Sequence, residues 1–268
     1  MATPVSGAIS FADIQTAFGF GYNMANYQYS RWYQPASLIY GNFSATQISF
    51  SDFYNKQAND PAGNGSVTYS SASTNSFTVP LFRNTLTVDI WGAGGGGGGY
   101  AKDYVYGGTG NPSYVTFSNS LSAIAYGGTG GQDAATDRYA GGLVYGDNGV
   151  GGTASGNVLS TTGNAGYSLG VGAGAPSGGG DVAPGFRQTP APNGSAPGGG
   201  GAGFYYDTGG KFPAVAGGAG SGGRAKSTWA SAALPTGTTA TVVVGGGGAP
   251  GNFYGGYGAD GKITISWS

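Results

Sequence analysis

Seven aspartates lie in the glycine-rich part of this chain, where a reaction centre would have to be built: Asp103, Asp133, Asp137, Asp147, Asp181, Asp207 and Asp260. Two carboxylates set roughly 5 to 10 Å apart can cleave a glycosidic bond, one as acid and the other as base or nucleophile. These seven are scattered between glycine runs, and no spacing among them dictates a pair. All 11 acidic residues are aspartate, and the 268-residue chain holds no Glu, His or Cys. Thiol nucleophiles, histidine-based triads and ordinary zinc sites are thereby excluded, as is any disulfide. "GDNG" at 146–149 lacks the acid ladder and distal Glu of a calcium loop and reads as a turn. The expectation is a protein that is not an enzyme and takes no cofactor or metal.

Phosphate chemistry fares no better. "GAGGGG", Gly92 to Gly97, formally matches G-x-G-x-x-G after a strand pattern, but more glycine follows it where a helix should open. "GGRAKS" lacks the glycine that a phosphate loop needs before Lys226. With 10 basic and 11 acidic residues the net charge is −1, which gives no electrostatic grip on nucleic acid or anionic lipid.

What remains is recognition by rings. Between the glycine runs stand aromatic segments with a few charges. "YAKDYVY" carries Tyr100, Tyr104 and Tyr106, and "DAATDRYA" carries Asp137, Arg138 and Tyr139. "DVAPGFRQTPAPN" offers Phe186 and Arg187 between prolines. "FYYDTGGKF" offers Phe204, Tyr205, Tyr206, Asp207, Lys211 and Phe212, and "NFYGGY" offers Phe253, Tyr254 and Tyr257. Tyrosine with occasional Arg, Gly and Asn gives large rigid contact area at small entropic cost. The alternative role for any such ring is to cap the glycine structure, which has few other apolar side chains. "FYYDTGGKF" is the foremost contact candidate, because adjacent rings cannot all point inward.

The elements that must hold these segments change character near Trp91. All but six of the 59 glycines come after it. Before it, "ISFADIQ" at 9–15 returns as "ISFSDFY" at 48–54. Ser10 with Asp13, and Ser49 with Asp52, stand in capping-box relation, with Ile9 and Ile48 as staple residues. That spacing predicts two short helices, over 11–18 and 50–57. The ring-dense stretch between them, with Tyr22, Tyr27, Tyr29, Trp32 and Tyr33, fits either a compact module's own core or a docking face for a partner. Residues 59–76 are polar and turn-rich and read as a linker. Alternation in "TLTVDIW", "SYVTFSNSLSAIA", "TATVVV" and "KITISW" predicts strands, and these repeatedly run into or out of glycines. No apolar run reaches the ~18 residues of a membrane helix, and "MATPVSGAISF" has no signal-peptide pattern.

Glycine loses much backbone entropy on ordering and buries no side chain, so the runs need a compensating structure. A linker polymer would repeat itself, and an ice-binding slab would keep a strict G-x-x period; neither pattern is present. Packed polyglycine II helices fit better, because all-glycine strands approach until backbone groups bond between chains. The expected architecture is mostly irregular and β. A small N-terminal module with two short helices (1–58) and a linker (59–76) precede a polyglycine II helix bundle framed by β-strands (77–268).

Residues 77–268, with "LTVDIWGAGGGGGG", "TVVVGGGGAPG" and the closing "GADGKITISWS", resemble the glycine-rich receptor-binding domain of bacteriophage tail-fibre adhesins. The "ISF-[AS]-D" repeat is similar to short segments of phage tail proteins. The resemblance implies a virion protein at the tip of a tail fibre, made in the host cytoplasm without a signal peptide. It implies viral attachment to the host cell and control of host range. The implied partners are a phage tail-fibre protein, docked through residues 1–58, and a bacterial outer-membrane protein or surface polysaccharide as receptor. No nucleic-acid partner and no membrane insertion are implied. A non-adhesive structural tail or fibre component is the alternative.

Overall fold

The computed structural model describes residues 2–4, 6–34, 39–44, 46–57, 64–80, 82, 84–101, 105–135, 144–167, 172–174, 186–187, 191–206, 214–252 and 254–268. Helix α1 spans Phe11–Phe18. The Ser10 hydroxyl accepts from Asp13 N at 3.3 Å while the Asp13 carboxylate accepts from Ser10 N at 2.8 Å, so both orphan amides are satisfied. Gly19, left-handed at φ 80°, ends the helix. The second copy starts alike, with Asp52 accepting from Ser49 N at 2.7 Å, but gives only a 3-10 turn, Phe50–Phe53. The expected helix over 50–57 is thereby corrected. Asn55 turns left-handed at φ 55°, and Gln57 is drawn into a β-bridge with Tyr33.

Between the copies lie a 3-10 turn, Met24–Tyr27, and an antiparallel hairpin of β1 (Arg31–Gln34) and β2 (Ile39–Asn42). Ile14, Phe18, Tyr27, Phe43 and Phe53 make the core of this module. Phe18, Tyr27 and Phe53 meet edge to face at 5.3 to 6.0 Å, the arrangement that ring quadrupoles favour.

Two five-stranded antiparallel sheets follow. One has the order β12 (Leu159–Thr161), β16 (Arg224–Ala230), β5 (Thr85–Trp91), β18 (Lys262–Trp267), β3 (Gly65–Tyr69). The other has the order β11 (Ala154–Ser155), β8 (Ser122–Ala125), β7 (Ser113–Phe117), β17 (Thr239–Val244), β4 (Ser73–Thr78). Leu86, Val88, Ile90, Ile263 and Ile265 from the first pack with Val115, Phe117, Val242 and Val244 from the second in one buried cluster. The strand patterns read from sequence are found here. Strand β16 was not anticipated, because Arg224, Lys226 and Thr228 outnumber its inward apolar residues. The linker expectation needs correcting as well. Residues 65–69 and 73–76 belong to β3 and β4, edge strands whose serines, threonines and Asn75 suit an outward face.

Strands of this sandwich continue directly into the glycine runs. At the junction Trp91 is buried and lies beside Arg224 and Lys262 in register, with Arg224 Cζ 4.5 Å and Lys262 Nζ 5.5 Å from its ring. Arg224 also grips Asp89 with two bonds of 2.9 and 2.7 Å. Past Trp91, every residue of 92–99 is buried and none pairs as a β-ladder. Their amides find partners in a repeat of three. Gly92, Gly95 and Gly98 donate to Gly223, Gly220 and Gly217. Ala93 and Gly96 donate to Asn111 and Gly108, and Gly94 and Gly97 to Ala259 and Gly256. The carbonyls of 93–99 accept from runs 128–134, 201–204 and 248–251 in the same alternation. The first run therefore stands among six neighbours, and the glycine entropy cost is offset by bonds in every direction around it. A Cβ on Gly96 would come within 1.8 Å of the Ala249 carbonyl oxygen, so no side chain fits at that distance of approach.

At the ends of the runs away from the sandwich, β6 (Tyr100–Ala101) pairs with β9 (Ala134–Ala135). Strands β10 (Val144–Tyr145), β15 (Ala214–Val215), β14 (Phe204–Tyr206) and β13 (Phe186–Arg187) form a small mixed sheet in that order. Among the described residues no helix is long and apolar enough to cross a membrane.

Candidate functional site: the end of the glycine runs

The register of the runs fixes which segments meet. Run 92–99 leaves the sandwich; 107–111 and 217–223 return antiparallel to it, and 128–131 leaves in parallel. By the same bonds 245–251 leaves and 256–261 returns. Tyr100, Tyr106, Gln132, Tyr145, Phe204, Val215, Asn252 and Tyr254 therefore all lie at one end. Of the anticipated contact residues, Tyr104, Asp137, Arg138, Tyr139, Asp207, Lys211, Phe212 and Phe253 lie outside the described residues. Phe186, Arg187, Tyr205 and Tyr206 are placed by backbone in β13 and β14, side by side in the small sheet.

At this end the backbone is pinned by a buried acid. Asp133 is fully buried, and its carboxylate accepts from Gly99 N at 2.6 Å, from Asn252 Nδ2 at 2.9 Å and from Asn252 N at 3.3 Å. Three donors satisfy a carboxylate that burial alone would penalise heavily. The acid thus ties the ends of runs 92–99 and 245–251 together, and Gly251 approaches it so closely that a Cβ would sit 2.0 Å from Asp133 Oδ1. Asp260 holds Ala72 N and Gly247 N, both at 3.0 Å, at the sandwich end. These two carboxylates are each held by donors at opposite ends of the runs and form no catalytic pair with each other.

The rings divide into support and surface. Phe204 is buried, stacked on Tyr254 at 5.2 Å and met edge-on by Tyr100 at 5.8 Å, with Ala134 and Ala216 beneath. Burial takes Phe204 out of the contact set and gives it the capping role. Tyr254 keeps 50% of its surface and holds a left-handed backbone at φ 75°. Such a conformation in a non-glycine residue is uncommon outside functional or tightly held sites. Tyr106 and Tyr257 are exposed as well; Tyr257 lies along the flank, its amide held by Asn193 Oδ1 at 2.9 Å. Tyr145 and Tyr167 are equally exposed beside the same end and were not anticipated. Their signal was present, since each abuts a glycine run as Tyr106 does.

A groove opens on the flank just below this end. It measures about 500 Å³ and is lined by Tyr106, Gly107, Thr109, Thr129, Gly130, Asp147, Asn148 and Val150. In the N-terminal module, Tyr27 and Tyr33 are buried in the core, which corrects their place among the docking rings. Tyr22 and Tyr29 project into solvent, 68% and 70% exposed, and Trp32 is half-buried beneath Lys56 Nζ at 4.1 Å.

The arrangement offers rings, amides and hydroxyls on a rigid base, which is the chemistry of binding. Comparison with known families, with curated proteins and with solved structures gives no match to this chain.

Proposed function

We propose that this protein is a non-enzymatic adhesin at the tip of a bacteriophage tail fibre. In this reading the glycine runs are polyglycine II helices packed as a bundle, and the segments at their ends bind a receptor on the bacterial surface. The repeat of three in the amide partners supports the helix assignment, because a three-residue turn sends successive amides toward different neighbours. At about 3.1 Å per residue, a seven-residue run would set the binding end roughly 20 Å from the sandwich.

The observation that carries the functional reading is the convergence of Tyr100, Tyr106, Tyr145, Phe204 and Tyr254, from four chain-distant segments, on one end of a scaffold with little freedom to move. Binding sites commonly sit on loops held by a rigid base. The N-terminal module, with Tyr22 and Tyr29 outward, would join the fibre protein. The receptor is an outer-membrane protein or a surface polysaccharide. Grafting residues 204–215 from a phage of different host range is expected to move adsorption toward that phage's hosts, measured by plaque formation and free-phage depletion. Unchanged host range after exchange of every end segment would leave a structural fibre component as the better account.

A further inference from the structure

The flank groove has the make-up of a carbohydrate subsite. Its floor is run 128–131, contributing Thr129 and Gly130; Tyr106, Gly107 and Thr109 form one wall, and Asp147, Asn148 and Val150 the other. The floor bonds to both walls, through Gly107 N to Gly131 O at 2.8 Å and Thr129 N to Val150 O at 2.9 Å. Groups that would meet a ligand are held in advance. Asp147 is clamped by Gln132, whose amide donates to Asp147 O at 2.8 Å and whose Oε1 accepts from Asp147 N at 3.1 Å. Asn148 Oδ1 accepts from Gly218 N at 3.2 Å, which holds this side chain in place. Thr129 Oγ accepts from Val150 N at 2.7 Å.

Tyr106 is 52% exposed at the groove mouth, and its hydroxyl reaches Asp147 Oδ2 only at 3.4 Å, the weak limit of a hydrogen bond. An exposed ring beside a carboxylate, an amide and hydroxyls matches a pyranose, which presents a C–H face for stacking and hydroxyls that both donate and accept. We infer that this groove binds a neutral, hydroxyl-rich segment of a bacterial surface glycan. Neutral sugar is specified because Asp147 is the charged group among the described lining residues, and it would repel uronates or phosphorylated sugars. An apolar peptide anchor is disfavoured, since beyond Val150 and the Tyr106 ring the lining side chains are polar. The volume suits one or two sugar rings.

The inference rests on the adhesin reading for its biological role, whereas binding is read directly on the full chain. The test titrates the protein with maltotetraose and β-1,4-mannotetraose as neutral probes, and with tetragalacturonate as the anionic one, by calorimetry and saturation-transfer NMR. At least one neutral probe is expected to bind. Tyr106→Ala and Asp147→Ala should each weaken it about tenfold or more, in line with loss of one stacking ring or one charged acceptor. Both residues are exposed, so unfolding midpoints should stay in place, and Val158→Ala, at an exposed position just before β12 in the sandwich, should bind normally. Failure of both neutral probes, binding that survives both groove substitutions, or equal binding of the anionic probe would each overturn the inference. Host adsorption by the 204–215 graft reports on the adhesin reading separately: unchanged adsorption with groove-dependent sugar binding removes the adhesin and keeps the subsite.

Discussion

At the residue scale, a glycine in this protein is defined by what stands where its side chain would be. Gly96 faces the Ala249 carbonyl oxygen at 1.8 Å from an ideal Cβ, and that oxygen belongs to backbone already bonded elsewhere. Gly246, at the start of another run, would place its Cβ 3.4 Å from Ala72 Cβ, an ordinary contact. Gly96→Ala should therefore cost about 3 kcal/mol or more, because two rods must part to admit one methyl. Gly246→Ala should fall within about 0.5 kcal/mol of the parent. Chemical denaturation of the two variants checks this, and similar losses in both would contradict the close-packing account. Asp133 makes the same point for polar groups: a buried acid is tolerated because Gly99 and Asn252 donate to it.

At the element scale, local signals succeeded where the chain solves its problem locally. The capping box on α1 is one case. The Asp13 carboxyl is held below the usual carboxylate range, chiefly by the Ser10 hydroxyl and then by the Ser10 amide. A depressed folded value means that the contribution is present above the ordinary carboxylate pKa and is lost as pH falls through the lowered one. Amide exchange in residues 11–18 should therefore quicken, relative to the sandwich strands, as the solution is taken into that acid range. Asp13→Asn should flatten the difference, and an unchanged acid response in that variant would assign it elsewhere. The second copy of the motif shows the limit of local reasoning. Asp52 accepts from Ser49 N as Asp13 does from Ser10 N, yet the element ends after one 3-10 turn, where Asn55 turns left-handed and Gln57 bridges Tyr33.

At the scale of the whole molecule, three bodies of chain are joined by different physics. The N-terminal module closes around aromatic edges, the sandwich around aliphatic alternation, and the glycine runs mainly around bonds between backbones. The module separates its rings accordingly. Tyr27→Ala removes a fully buried ring and should cost about 3–5 kcal/mol. Tyr22→Ala and Tyr29→Ala should leave stability within about 0.5 kcal/mol, since both rings face solvent. If the module docks on a fibre, the latter pair should instead lower incorporation into particles, measured by immunoblot of purified virions. Normal incorporation of the double variant would place docking on another face.

The sequence by itself determined the places where architecture changes: the break at Trp91, the strand alternation, the cap of α1 and the exclusion of thiol and imidazole chemistry. Each of these rests on residue type or on spacing within a few positions. It also placed Tyr100, Tyr106 and Tyr254 next to glycine runs, but it could not sort contact from support. Only the tertiary structure decided that Phe204 lies under Tyr100 and Tyr254, that Tyr27 and Tyr33 serve the module's core, and that 65–69 and 73–76 are strand. It alone joined Tyr106 to Thr129 and Asp147 across one groove. The reason is that glycine runs carry no pattern of their own. Which run lies beside which is set by backbone bonds between residues far apart in the chain, and a sequence of glycines holds no side chains from which that order could be read.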